Sequence, residues 1–398
     1  MSSTDLPAAP AAGAAAEARP RPRVMAPVSA RRVTCAVRDA MLVREREFAR
    51  RAPERYRVVE IDPDKPLAFL GALARQLRAG GIVHMEQPVE GWGNHLLPGV
   101  ALFLARLTTR TGAIVLTQNE WLSLHPLRFL SILPNLYAAD RVVMASPREV
   151  AAFRAARYLP RRLRETVALV PTFPNLARPA LDPARLDARR KHLRRPLGGA
   201  APDLVVGYFG VLYASKQPLL MLDAIAALRD RGVRARLVIA GGFLPDRAED
   251  ADAFAARVAA LGISEHVELL GRVEDEAEVF EVLEASDVHL YLFSDGATAR
   301  RSSLVTSLQL DRPIVTTEPL RADEFDHLPE IASQVSGGAV TLVPAAAGAG
   351  EVADALVRAA RAPSRAPLDT TRLLAQSTKA LEAIYAELER ARPKRASA

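Results

Sequence analysis

Between residues 287 and 317 the chain reads DVHLYLFSDGATARRSSLVTSLQLDRPIVTT, with two guanidiniums and two hydroxyls side by side at Arg300, Arg301, Ser302 and Ser303. The pattern predicts a buried strand, a loop carrying Asp295 and Gly296, a helix opening at the Arg-Arg-Ser-Ser run, and a second apolar strand. The first N–H groups of a helix have no intrahelical partner, and the helix dipole favours negative charge there. Arginine forks add charge-assisted, bidentate bonds to phosphate oxygens. Together these groups suit a diphosphate. The plainer reading of the same residues is an N-capped surface helix with solvated arginines.

The elements that must hold this run in place alternate along the second half. Strands are predicted at 204–209, 236–240, 266–270, 287–293 and 313–317, with helices at 217–230, 247–262, 275–284 and 301–310. Continuous apolar strands separated by helices of this length imply a parallel sheet covered on both faces. Ligands of such sheets sit at the carboxyl ends of the strands. The first half repeats the rhythm less regularly, with strands expected at 33–37, 56–61, 81–85, 113–117, 141–145 and 166–170. Residues 1–30 read as a disordered Ala/Pro/Arg leader. The Pro- and Arg-rich stretch over 176–202 reads as a linker, and a helix at 366–392 as packing back across both halves.

Bulk properties narrow the classes. The 398 residues allow two domains, and 49% hydrophobic with 25% charged residues is an ordinary globular composition. No apolar run approaches the ~20 residues that span a bilayer. Cys35 is the sole cysteine, which excludes an intrachain disulfide or a cysteine metal cluster and fits a reducing cytoplasm. Residues 1–200 carry 32 Lys+Arg against 17 Asp+Glu, whereas 201–398 carry 21 against 29. A basic first half beside an acidic second half suggests contact with an anionic membrane surface. Nucleic acid is the rival partner, but no aromatic stacking residues lie among the arginines, so none is expected. A solvated basic surface is the bland alternative.

Four segments carry a resemblance to a known family. They are GYFGVLYASKQPLLMLDAIAAL at 207–228, RLVIAGG at 236–242, VELLGRV at 267–273, and the segment with Asp295, Gly296 and the Arg-Arg-Ser-Ser run. Their order resembles the family-4 retaining glycosyltransferases of GT-B architecture (glycosyl transferases group 1) over roughly residues 33–390. The fourth is similar to a variant with a DG…RR.S loop in place of the usual Glu-x7-Glu signature. The resemblance implies an α/β fold with two Rossmann-like domains facing across a cleft. These would be an acceptor domain at 31–175 and a nucleotide-sugar domain at 203–365. It implies a hexosyltransferase-type enzyme that moves a sugar from a UDP- or GDP-sugar to a saccharide or lipid-linked saccharide hydroxyl with retention. No cofactor or metal is expected, and polysaccharide or glycoconjugate assembly of bacterial type is implied.

By the same resemblance Lys216, Arg301 and Asp295 are the catalytic set, with Lys216 on the donor phosphates and Asp295 beside the donor sugar. Gly210, Gly241, Gly271, Arg272, Val273, Gly296, Arg300, Ser302 and Ser303 would complete the donor site. Asn119 and Glu120 fall on the acceptor side; His84, at the end of GIVHM, is a further candidate there, and a hydrogen-bonded structural histidine is its plainer reading. The chain departs from the family at three places. Thr306 stands where a second glutamate is expected, Val211 replaces an arginine, and Asn119 replaces a histidine; Asn can orient a hydroxyl but cannot shuttle a proton. These departures keep open a catalytically inactive GT-B-like binding or scaffold protein. A nucleotide-sugar epimerase of similar architecture is a third possibility. The seven histidines show no metal-ligand spacing, and the chain has no P-loop, GxGxxG or GxSxG motif. Trp92 and Trp121 read as packing residues or as the wall of an acceptor pocket. The site is expected in the cytoplasm, peripheral to the inner face of the plasma membrane.

Overall fold

Apolar, β-branched runs too short for helices alternate with amphipathic stretches, and in the computed structural model they form two separate six-stranded parallel sheets. The structure describes residues 23–31, 36–52, 54–87, 92, 97–109, 111–122, 124, 126–244, 247–362 and 366–391. The first sheet uses β1 (Val24–Ser29), β2 (Tyr56–Ile61), β3 (Ile82–Gln87), β4 (Ala113–Gln118), β5 (Arg141–Met144) and β6 (Ala168–Leu169). Its helices are α1 (Ala36–Arg51), α2 (Pro66–Arg78), α3 (Leu97–Thr108), α4 (Pro126–Ala138), α5 (Pro147–Ala155) and α6 (Arg161–Thr166). After α7 (Pro183–Leu193), the second sheet uses β7 (Leu204–Phe209), β8 (Ala235–Ala240), β9 (Val267–Leu269), β10 (Val288–Tyr291), β11 (Ile314–Thr317) and β12 (Val340–Val343). The helices there are α8 (Pro218–Asp230), α9 (Ala248–Leu261), α10 (Glu276–Ala285), α11 (Ser302–Ser307), α12 (Pro329–Ser336) and α13 (Ala349–Ala360), followed by α14 (Thr370–Arg390).

The strand orders are β2-β1-β3-β4-β5-β6 and β12-β11-β10-β7-β8-β9. Each sheet grows one way from its first strand and then back the other way, which opens a crevice where the direction reverses. The reversal lies between β1 and β3 in the first sheet and between β7 and β10 in the second. In the first sheet β2, β3, β4 and β5 follow one another in a single direction, so right-handed crossovers put α2, α3 and α4 on the same face. Contacts of α3 with both α2 and α4 agree.

Three sequence expectations need correction. The leader does not extend to residue 30, because Val24–Ser29 is a buried strand paired with β2 along its whole length. Its pairing with β3 stops at Met25, so Pro27, which has no N–H to donate, falls beyond the ladder on that side. A strand at 33–37 is not formed: α1 begins at Ala36, and 33–35 lie outside the described residues. The stretch read as a linker holds α7, capped by Asp182 and packed on α10.

Two large apolar cores sit under the two sheets, and α14 reaches both. Leu373 joins the second core, whereas Leu381, Ile384 and Tyr385 complete the first. Ala40 and Val43 of α1 pack on the second core in return.

Candidate functional site

The Gly-rich ends of β7 and β8 lie against each other. Gly241 has φ +154°, and a Cβ there would stand 2.0 Å from the Gly210 carbonyl oxygen, so only glycine fits. The Gly210 N–H donates to Ala240 O at 3.1 Å, and Gly241 bridges Gly271 beyond β9. This brings Gly210, Gly241 and Gly271 together at the carboxyl edge of the second sheet.

Past Gly210 the chain makes a short 3-10 turn, Ala214–Lys216, before α8. The turn tucks Lys216 inward, where it is only 7% exposed. Its Nζ lies 4.9 Å from the Tyr213 ring centroid and 3.3 Å from where a Gly210 Cβ would stand. Ser303 Cβ approaches the same point at 3.5 Å. Among the described residues no carboxylate pairs with this ammonium. Burial first, then the positive charges of Arg301 and Arg300, bring its pKa down to about 7. An ammonium held beside two guanidiniums without a counter-ion is the electrostatic signature of a site that receives an anion.

The loop from β10 to α11 supplies those guanidiniums. Phe293 N–H donates to Thr317 Oγ1 at 2.9 Å, and Ser294 N–H to Ser215 O at 2.9 Å, which ties the loop to the lysine turn. Gly296 has φ +76°, and a Cβ there would lie 2.7 Å from Glu318 O. The helix begins at Ser302, so Arg301 occupies the N-cap rather than the first turn, and α11 ends at Ser307 instead of continuing to 310. Arg301 is 5% exposed and lies 4.5 Å over the Phe293 ring. Its Nη2 donates to Asp295 Oδ1 at 2.5 Å and its Nη1 to Tyr213 OH at 3.2 Å, leaving a buried Nε without a partner.

Arg300 turns toward the first domain. It lies 3.8 Å from Glu120, 3.6 Å from Glu149 and 3.6 Å from Asp295, all beyond hydrogen-bond length, and its buried Nε donates to nothing. Arg148 crosses in the opposite sense, donating from Nη1 to Asp295 O at 2.7 Å. Glu149 is buried and accepts from Leu122 N–H at 3.0 Å. Desolvation raises its pKa, although Arg300 and that hydrogen bond oppose the shift. Sequence reasoning missed Arg148, Glu149 and Tyr213. The run Ser146-Pro147-Arg148-Glu149 looks like any helix start with an acidic first turn, and only the end of β5 facing the cleft distinguishes it.

Asn119 and Glu120 follow β4, and Glu120 lies beside Arg300 at this crossing. Beside them, Gln87 and Gln118 are register partners at the carboxyl ends of β3 and β4, both buried. Among the described residues the buried Gln87 Oε1, Gln118 Oε1 and Asn119 Nδ2 have no hydrogen-bond partner.

Other predicted residues lie elsewhere. His84 does not face the cleft: it is fully buried, with Nδ1 2.6 Å from Tyr385 OH and Nε2 2.7 Å from Thr117 Oγ1, and burial holds its pKa well below the usual histidine value. Val273 packs its side chain into the apolar layer under α10, and Arg272 is exposed beside Glu274, so neither side chain joins the cations. Thr306, the position read as a lost glutamate, is fully buried, and among the described residues its Oγ1 has no hydrogen-bond partner. Val211 contributes a carbonyl that accepts from Tyr208 OH at 3.1 Å. The structure thus gathers Gly210, Gly241, Gly271, Lys216, Asp295, Arg300, Arg301, Ser303, Asn119 and Glu120, and leaves His84 outside; Arg272 and Val273, proposed for their backbone, follow Gly271 directly. Among the described residues no three His, Cys, Asp or Glu side chains are placed to share a metal ion.

Residues 203–361 match the family model described as Glycosyl transferases group 1. No curated protein matches the sequence. Among solved structures, Anabaena HepE in complex with UDP is similar at a TM-score of 0.57, with 14% identity over 92% of this chain and 94% of that one. The α,α-trehalose 6-phosphate synthase of Burkholderia multivorans is similar at 0.58, with 14% identity over 93% and 98%. Sucrose-phosphate synthase of Thermosynechococcus elongatus is similar at 0.51, with 17% identity over 85% and 79%. The fold is GT-B: two Rossmann-like domains facing across a cleft.

Proposed function

We propose that this protein is a retaining glycosyltransferase that takes a sugar from a nucleoside diphosphate and places it on an acceptor hydroxyl. The observation that carries the reading is Lys216: a buried ammonium with no carboxylate partner, next to Arg300, Arg301 and Ser303 at the reversal point of the second sheet. Negative charge develops on the leaving diphosphate as the bond to the anomeric carbon breaks. Stabilisation of such charge by preorganised donors is usually the largest single contribution to the rate. Here they are the ammonium, the unused Nε–H groups of both arginines, and the hydroxyls of Ser302 and Ser303. Asp295 holds the Arg301 fork in place and lies where it can orient the donor sugar. On this reading no metal is needed.

UDP is the first nucleotide to test, because the similar HepE structure holds UDP, with GDP next. The acceptor hydroxyl enters from the first domain, where Asn119, Glu120, Gln87 and Gln118 offer polar groups. A saccharide or lipid-linked saccharide, in bacterial polysaccharide or glycoconjugate assembly at the inner face of a membrane, fits that side. The deciding experiment incubates purified protein with UDP- and GDP-sugars and an acceptor panel, and follows nucleoside diphosphate release and product anomer. Thermal stabilisation by a donor, with transfer that keeps the anomeric configuration, supports the reading; stabilisation by neither nucleotide class refutes it.

The ion pairs of Arg148 and Arg300 across the cleft favour a second reading, a closed binding protein without turnover. Donor binding with no transfer over the whole panel would establish it.

A further inference from the structure

The outer face of the α2–α3–α4 layer is apolar where a solvent face should be polar. In α3, Val100, Phe103, Leu104 and Leu107 recur at i, i+3, i+4 and i+7 and are all exposed, Leu107 at 67%. The opposite face of the same helix buries Ala101, Leu102 and Ala105. A helix apolar on every side belongs in an interior or against a non-aqueous phase. On one flank α4 exposes Leu127, Leu130 and Tyr137, and on the other α2 exposes Leu67. In the second domain, by contrast, the exposed large apolar side chains among the described residues are Leu219, Leu269 and Leu320, which lie far apart in sequence.

Charge indicates what covers this face. Residues 66–78, 97–108 and 126–138 contain no Asp or Glu, whereas Arg75, Arg78, Arg106 and Arg128 lie among them. Arg75 and Arg78 are exposed at the end of α2, and Arg106 is turned onto Asp140. Among the described residues no helix is long and apolar enough to cross a bilayer. An apolar helical face edged by arginines and free of carboxylates is built to lie in the interface of an anionic bilayer. A pocket of about 520 Å³ opens at the start of α4, lined by Trp121, Leu124, Pro126, Phe129, Leu130 and Tyr158. Trp121 directly follows Glu120, so the apolar surface runs up to the acceptor side of the cleft.

We infer that the α2–α3–α4 face seats the protein on an anionic lipid surface, with the Trp121 pocket receiving hydrocarbon next to Glu120. The inference gives a definite surface to the membrane contact in the proposed function and rests in part on that reading.

The test is co-sedimentation of the full chain with vesicles of equimolar phosphatidylcholine and phosphatidylglycerol, and with phosphatidylcholine alone. Wild-type protein is expected to pellet with the anionic vesicles, less as salt rises, and little with the neutral ones. Leu104→Glu with Leu107→Glu should weaken that binding by about tenfold or more, as should Leu127→Glu with Leu130→Glu, while Leu269→Glu behaves as wild type. Melting temperature and UDP-sugar binding, followed in parallel, should be unchanged in the α3 and α4 variants. That control separates failure of this surface from failure of the donor site. Absence of wild-type binding, or binding of both double variants at the wild-type level, overturns the inference. So does a wild-type dimer that the α3 variant converts to a monomer without any vesicle binding, since a second copy would then cover the face.

Discussion

Arg301 and Asp295 meet at 2.5 Å between Nη2 and Oδ1, six positions apart on the loop that leaves β10. The carboxylate fixes one edge of the guanidinium, the Tyr213 hydroxyl fixes the other end, and the Phe293 ring supports its plane. A side chain held at three points is a preorganised donor. It does not have to be ordered again when an anion arrives.

Arg301→Ala should therefore lower kcat by about 10²–10³ while leaving the fold intact. Arg148 and Arg300 still face Asp295, so no buried carboxylate is abandoned. Steady-state kinetics with a thermal melt check both halves of the expectation. Asp295→Asn should lower kcat as well, by releasing the fork, and leave the affinity for free UDP equal or tighter because one negative charge is gone.

Lys216 gives a pH signature. In the free protein it loses its proton at about 7, and a bound diphosphate favours the charged form, so the complex holds more protons than the free protein above that pH. Donor binding should take up a proton and weaken by up to about tenfold per unit as pH rises past 7. Calorimetry in buffers of different ionisation enthalpy measures the uptake. Lys216→Met should abolish it and flatten the profile.

Glu149 joins the two domains through Arg300 and holds the Leu122 N–H. Glu149→Gln keeps an acceptor for that N–H and deletes the charge. The expected result is a raised KM for the acceptor with unchanged donor affinity, together with a larger radius of gyration in solution scattering of the free protein.

Gly241→Ala forces a Cβ into the Gly210 carbonyl at a φ that L-residues avoid. Backbone strain of this kind costs about 1–3 kcal/mol before any displacement of Gly210. The variant should melt several degrees lower and bind UDP more weakly, whereas Gly271→Ala, whose Cβ would meet nothing within 4 Å, should be milder.

Turnover should survive EDTA unchanged, because the charge on the leaving group is assigned to Lys216 and the two arginines. Loss of activity with EDTA, restored by a divalent cation, would show that a metal shares that role.

The sequence shows the second domain more fully than the first, for physical reasons. β7 is readable to the residue as 204–209, since a continuous apolar run is closed by Asp203 before it and Gly210 after it. β12 is missed because its four residues, Val340–Val343, follow a Gly-Gly pair and precede a proline and an alanine run, with little periodicity to detect. β1 is hidden by Pro27 and by flanks of the same composition as the leader. At the site, the Asp295–Arg301 pairing is local and can be anticipated. Arg148 and Glu149 reach Arg300 only after two sheets have formed and faced each other, so nothing near them in sequence marks them. His84 shows the reverse case: its partners Thr117 and Tyr385 are 33 and 301 positions away, and without them a histidine ending an apolar strand looks like a site residue.

The last long helix also has a consequence for synthesis of the protein. Tyr385 completes the interior beneath the first sheet, yet it follows the last strand of that sheet, Ala168–Leu169, by more than 200 residues. The amino-terminal half must therefore wait, with an unfinished interior, while the rest of the polypeptide is made. Expressed alone, that half should be recovered as an aggregating species, and it should be rescued when residues 366–391 are supplied in trans as a peptide.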